Sequence, residues 1–134
     1  MSNGKPRHVI KRTASCGLGF FTLVAIPKDK RIIEYVGPIL TKAETAEKSG
    51  RYLMALDDEY FIDGSPRSNA ARYINHSCLP NARAYRTGVR VWIWSIRDIK
   101  AGEEITYDYG EKYFNDFIKP VGCKCEKCLK ELSF

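Results

Sequence analysis

Glycine and proline interrupt this chain so frequently that it can only be assembled from many short elements, and that punctuation constrains the fold more than any other feature. Between the breaks lie runs rich in β-branched and aromatic residues. Residues 20–24, 31–36, 52–56 and 60–62 each read as a strand bounded by turn residues. Tight connections are expected at 27–30 and 57–59, and residues 86–88 are expected to join 81–85 to 89–95 as a hairpin. Trp92 and Trp94 alternate with Val91 and Ile93 in that hairpin, a pattern that reads first as packing. One helix of about two turns is announced by Thr41-Lys42-Ala43-Glu44, which has the capping-box form. A second short helix is expected at 69–74, with Asn69 as its cap. Many strands, few helices and no glycine-rich strand-to-helix loop argue for a mostly-β fold and against a doubly wound nucleotide-binding sheet.

At 134 residues there is chain for about one domain, and 44% hydrophobic with 28% charged residues is an ordinary globular composition. No apolar run approaches the roughly 20 residues of a membrane span, and the first residues lack the apolar stretch of a signal peptide, so no membrane partner is expected and the expected location is cytoplasmic or nuclear. The net charge of +6 invites a nucleic-acid reading. Its basic residues are spread along the chain except at 5–12 and 119–130, so most read as solvated surface charge, and nucleic acid is not expected as a specific partner.

Of the five cysteines, three fall in Cys123-Lys124-Cys125-Glu126-Lys127-Cys128. Thiols this close together suit one tetrahedral zinc better than disulfides. A fourth ligand would have to come from Cys16, Cys78 or a histidine.

Three separated segments carry the chemistry: Gly17-Leu18-Gly19-Phe20, the string Arg72-Tyr73-Ile74-Asn75-His76-Ser77-Cys78-Leu79-Pro80-Asn81, and Gly102-Glu103-Glu104-Ile105-Thr106-Tyr107-Asp108-Tyr109-Gly110. Together with Ile33-Glu34-Tyr35-Val36-Gly37 and the terminal cysteines, they resemble the SET-domain family of protein lysine methyltransferases, over roughly residues 11–128. The resemblance implies a SET fold of β-clip type, with several short strands in small sheets, a few short helices and a zinc-bound C-terminal tail. It divides the chain into a SET domain at 1–110 and a post-SET segment at 111–134. It also implies a pocket for S-adenosylmethionine formed by Gly17, Leu18, Gly19, Phe20, Tyr52, Arg72, Asn75 and His76. The two glycines make sense beside a cofactor because missing side chains let backbone groups approach a ligand.

The implied reaction is in-line attack of a lysine amine on a sulfonium methyl, which demands alignment above all. The amine must also be neutral. With an ordinary pKa of about 10.4, deprotonation near pH 7 costs roughly 4 to 5 kcal/mol, a cost that burial in an apolar channel beside a sulfonium reduces. Tyr109 matches the family's catalytic tyrosine. Tyr107 matches a position that carries phenylalanine or tyrosine, where a hydroxyl takes up space and favours mono- to dimethylation. Tyr35 and Tyr113 match positions lining the lysine channel. The resemblance assigns the fourth zinc ligand to Cys78, beside Cys123, Cys125 and Cys128, which makes zinc a structural cofactor. One departure is that only Glu126 and Lys127 separate the second and third tail cysteines, where the family usually has four residues.

Without cysteines for a cysteine-rich segment ahead of the SET motifs, the chain is expected to be a minimal form resembling bacterial or viral ones. The expected substrate is a protein or peptide lysine, with histone tails the commonest targets of the family. Asp57, Asp58, Glu59 and Asp63 are candidates for a local acidic surface toward such a tail, although a charged hairpin turn explains them better. Two other classes compete: a non-catalytic SET-like peptide-binding module, which would have lost cofactor or tyrosine positions, and a small zinc protein binding nucleic acid, which would leave the central motifs unexplained.

Overall fold

The computed structural model describes residues 7–13, 17–48 and 52–109. They form ten strands: β1 (His8–Arg12), β2 (Leu18–Thr22), β3 (Arg31–Tyr35), β4 (Ile39–Thr41), β5 (Leu53–Ala55), β6 (Tyr60–Asp63), β7 (Asn75–His76), β8 (Ala82–Thr87), β9 (Arg90–Ser95) and β10 (Glu104–Tyr107). A single α-helical turn, α1 (Lys42–Thr45), and a 3-10 helix (Ala70–Tyr73) complete the described elements. The architecture is mostly β, as the punctuation requires. No helix among the described residues is long and apolar enough to cross a membrane.

The larger sheet runs β1-β2-β10-β8-β9-β3, with β7 also paired to β10, and the smaller runs β4-β6-β5. Only the pairings of β10 with β7 and β8 are parallel. β10 is therefore flanked by β2 from the front of the chain and by the residues around the Asn75-His76-Ser77-Cys78 string from its middle. Asn81 fixes that arrangement. Its buried amide donates to the Glu104 carbonyl at 2.8 Å and accepts from the Thr106 N–H at 2.9 Å, so one side chain takes the place of a neighbouring strand. The core lies under these strands, with Phe20, Ile74, Ile93, Ile99 and Ile105 almost wholly buried. Each such side chain contributes about 1.5–3 kcal/mol by leaving water.

Local signals translate with informative shifts. The capping box is present: the Glu44 N–H donates to Thr41 Oγ1 at 3.3 Å, and the Thr41 N–H donates to Glu44 Oε1 at 2.9 Å. The helix stops after one turn rather than two because none of its residues is buried, and a short helix without a packed face does not propagate. The β8–β9 hairpin turns at Gly88-Val89 rather than at 86–88, since Gly88 supplies the positive φ of 63° that a two-residue turn needs at its first position. The first glycine-flanked strand spans Leu18–Thr22 rather than 20–24, placing Gly19 inside the strand.

Asn69 does not cap the helix that follows it. Its fully buried side chain instead accepts from the Val36 N–H at 3.1 Å and donates to the Gly64 carbonyl at 3.0 Å, tying the end of β3 to the loop after β6. Nor do Trp92 and Trp94 enter the core. Val91, Ile93 and Ser95 point inward from β9, and the two tryptophans lie half-buried on its outer face.

Candidate active site

A small cavity of about 60 Å³ opens between the two sheets, lined by Tyr35, Tyr52, Leu53, Met54, Ala71, Arg72, Ile74, Tyr107 and Tyr109. Both tyrosines of the late motif reach it: Tyr107 ends β10, Tyr109 follows two residues later, and their rings sit 4.9 Å apart with planes tilted by 59°. The Tyr109 hydroxyl donates to the Ile74 carbonyl, so the phenol is held by backbone from the middle motif. Tyr109 is anchored a second time through its backbone N–H, which donates to His76 Nδ1 at 3.1 Å, and its ring meets the imidazole edge-on at 5.4 Å.

The hydrogen bond to Nδ1 settles the tautomer of His76. With Nδ1 accepting, the ring proton sits on Nε2, which lies 3.4 Å from Cys78 Sγ. Burial pushes this imidazole below its ordinary pKa, and the Asp108 carboxylate, 3.7 Å from Nδ1, pulls part of the way back. A neutral histidine here acts as a strut that takes an N–H from Tyr109 and offers an N–H to Cys78.

Tyr35 lies flat against Gly64, where an added Cβ would come within 2.4 Å of the ring and its hydroxyl. That hydroxyl donates to the Tyr52 carbonyl at 2.8 Å, and the Gly64 N–H donates to the same oxygen at 2.8 Å. These two bonds hold Tyr52 at a φ of 64°, a left-handed conformation that costs a non-glycine residue on the order of 1–2 kcal/mol. In this pose the Tyr52 ring lies under the Arg72 guanidinium, 4.3 Å away. Arg72 Nε is the one buried side-chain nitrogen or oxygen without a hydrogen-bond partner among the described residues. An unpartnered buried donor beside a cavity is costly unless a ligand acceptor meets it.

Of the cofactor residues expected from sequence, Tyr52 and Arg72 line this cavity and the others do not. Asn75, on β7, donates from Nδ2 to the Leu18 carbonyl at 3.0 Å and to Glu104 Oε2 at 2.9 Å, joining the Gly17-Leu18-Gly19 segment to β10. Gly19 leaves room at that joint, since a Cβ would stand 2.6 Å from Glu104 Oε2 and from Thr13 Cγ2 and would push these side chains aside. Gly17 turns the chain at a φ of 74°, and its carbonyl accepts from the Thr13 N–H at 2.6 Å. The Leu18 side chain is exposed, whereas the Phe20 ring is in the core, stacked on His8 at 4.4 Å. Tyr113, Cys16, Cys123, Cys125, Cys128 and the whole 111–134 segment lie outside the described residues. Among the described residues no group of three or more histidine, cysteine or acidic side chains could hold a metal.

Two of the four acidic residues at 57–63 are engaged by local structure, as a charged hairpin turn would have them, and Asp58 and Glu59 are exposed. Asp57 Oδ1 accepts the N–H groups of Glu59 and Tyr60, both at 2.8 Å, and Asp63 accepts the Ser65 N–H at 3.0 Å while facing Lys48 at 3.8 Å. Asn81, Glu104 and the Ile74 carbonyl are the structural members that sequence reasoning assigned no role. The first two stand inside the quoted motifs, but a backbone carbonyl leaves no mark in a sequence.

Comparison with known proteins decides the family, since residues 17–110, most of the chain, match the SET domain. The chain belongs to the SET-domain family. It is 37% identical to the histone-lysine N-methyltransferase SUV39H2 of Xenopus tropicalis over 140 residues, covering 81% of this chain and 34% of that protein. It is 42% identical over 111 residues to the H3 lysine-4 specific histone-lysine N-methyltransferase of Chaetomium globosum, with 73% and 10% covered. The Variant-silencing SET domain-containing protein of Plasmodium falciparum is 34% identical over 138 residues, with 90% and 5% covered. The SET chain thus spans about a third or less of the length of these relatives.

Proposed function

We propose that this SET chain is an S-adenosylmethionine-dependent protein-lysine N-methyltransferase that produces mainly mono- and dimethyllysine. The observation that carries the reading is the cavity in which Tyr35, Tyr107 and a doubly anchored Tyr109 converge. The relatives, several of them histone-lysine N-methyltransferases, support a lysine substrate, with histone tails first among the candidates.

The residues fit the cofactor. Arg72 Nε is a buried donor awaiting an acceptor, and a carboxylate or ribose oxygen would meet it. Tyr52 and Arg72 would hold the molecule together with backbone groups around Leu18 and Asn75, and the bound group supplies an electrophilic methyl on a sulfonium. The chain's own residues prepare the amine. Aromatic walls exclude water from an entering lysine head, which disfavours its ammonium form and lowers its pKa. Because the Tyr109 proton is committed to the Ile74 carbonyl, the phenol oxygen can act toward an amine only as an acceptor. It then grips an amine N–H and fixes where the nitrogen lone pair points, which is the alignment the transfer demands. The Tyr107 hydroxyl narrows the same space.

A structural zinc on Cys78, Cys123, Cys125 and Cys128 belongs to the same proposal. Cys78 suits it, because the Nε2–H of His76 faces its sulfur and favours the thiolate that a metal binds. About one zinc per chain, lost in Cys125→Ser, is the expected analysis, and full activity in metal-free protein would end this part.

The test of the function is incubation with labelled S-adenosylmethionine and a mixture of histones, with labelled bands identified by mass spectrometry. Label on lysine that disappears in Tyr109→Phe, with cofactor binding retained by calorimetry, is the expected result. Cofactor binding absent from the unaltered chain would leave the peptide-binding module in its place.

A further inference from the structure

Strands β8, β9 and β3 turn one face to the core and the cavity and the other outward. On the outward face the registers bring together Arg83, Trp94 and Arg31 in one row and Tyr85, Trp92 and Glu34 in the next, with Arg90 beyond. The side chains interleave. The Arg31 guanidinium lies 4.5 Å from the Trp92 ring and 5.4 Å from that of Trp94, Arg90 stands 5.2 Å from Trp92, and Arg83 stands 5.6 Å from Tyr85. Tyr85 is 46% exposed and meets Trp94 edge-on at 6.5 Å. Glu34 is the one acidic residue in these rows, and it is engaged by Arg90 in a two-point pair at 2.7 and 2.9 Å.

We propose that this outer β8–β9–β3 face binds single-stranded nucleic acid, with Tyr85, Trp92 and Trp94 stacking on unpaired bases and Arg31 and Arg83 contacting phosphates. Charge complementarity selects a polyanion, because Arg31 and Arg83 face outward beyond the Arg90–Glu34 pair, with no second carboxylate in these rows. Planarity narrows the class further. Guanidinium and aromatic planes offer stacking surfaces to bases, whereas an acidic peptide would use the charges and leave the rings unused. Residues two apart on a strand stand about 6.8 Å apart. That is about twice the 3.4 Å rise of stacked bases, so only a strand free to unstack can place bases against both tryptophans. A duplex hides its base faces and cannot. None of these residues lines the catalytic cavity, which Tyr35 reaches from the opposite face of β3.

The chain's two tryptophans are Trp92 and Trp94, so its intrinsic fluorescence reports this face alone. Titration of the full chain with a twelve-nucleotide oligouridylate, with excitation at the red edge of tryptophan absorption, should quench the emission saturably. Two phosphate contacts predict a log–log salt slope of roughly −1.4. An Arg83→Glu, Tyr85→Ala double variant should bind a labelled oligouridylate at least tenfold more weakly, with an unchanged circular dichroism spectrum and unchanged methyl transfer to a peptide. Absence of quenching at low salt would overturn the proposal. So would equal binding of a duplex of the same length or of polyglutamate, or full affinity in the double variant, which would move binding to the basic ends of the chain. The measurement needs neither cofactor nor methyl transfer, so it stands or falls apart from the enzymatic reading.

Discussion

Replacing Asn69 by alanine tests whether one buried amide holds the cavity wall in place. The side chain is 0% exposed and makes two bonds, accepting from Val36 N–H and donating to the Gly64 carbonyl. Leaving a buried carbonyl without a partner costs about 1–3 kcal/mol, and the more open Val36 N–H adds less. The small void left by the amide adds on the order of 1 kcal/mol, for a total of about 3 kcal/mol. Urea denaturation followed by tryptophan fluorescence should show the midpoint falling by about 1–2 M with an unchanged slope. Methyl transfer should fall further than stability alone explains. Gly64 supports both the Tyr35 ring and the Tyr52 carbonyl, so the wall loosens with it. Asn69→Asp should be at least as damaging, since a carboxylate cannot donate to Gly64. A loss below about 1 kcal/mol in the alanine variant would refute the reasoning, because water would then be replacing the amide.

Gly37→Ala should prevent stable folding or cost at least about 3 kcal/mol by thermal denaturation, since its Cβ would stand 1.8 Å from the Asp63 carbonyl oxygen, a backbone atom that cannot rotate away. Tyr107→Phe should shift products toward higher methylation by mass spectrometry of a peptide substrate, and unchanged products would remove the space argument. Both histidines, His8 and His76, are held below their ordinary value of 6.5 by burial. The unfolded chain therefore takes up protons that the folded chain refuses. Stability should be full above about pH 6.5 and fall as pH drops toward the folded values, read as a lower urea midpoint at pH 5.5 than at 7.5. His8→Gln should remove part of that slope.

The features legible in the sequence were those set by near neighbours or by a long, specific motif. Thr41 and Glu44 announce their capping box because both partners lie within one turn. The tyrosines of the late motif were placed by resemblance, and the cavity contains them. What was not legible is where a polar side chain finds its partner across the fold. Asn69 resembles a helix cap until the distant Val36 and Gly64 are in reach, and the closeness of Gly19 to Glu104 and Thr13 has no mark in its own segment. Alternation on β9 was read correctly as a period of two, but which set of residues faced the core depended on β3 and β8. Val91 and Ile93 took the inside, and the larger tryptophans lie half-buried outside beside arginines.

β10 carries Tyr107, leads directly into Tyr109, and is the last strand of the described chain to emerge during synthesis. Its partners, β2 and β7, are made long before it and keep exposed backbone groups until it arrives. Insertion between them closes loops of tens of residues, the kind of distant pairing that slows folding. Before that step the nascent chain presents unsatisfied edges prone to pair with other chains. Afterwards the core and the tyrosine-lined cavity are completed together. Fragments ending before Glu104 should therefore aggregate instead of folding, and the chain's yield in a cell should depend on how quickly this one strand finds its slot.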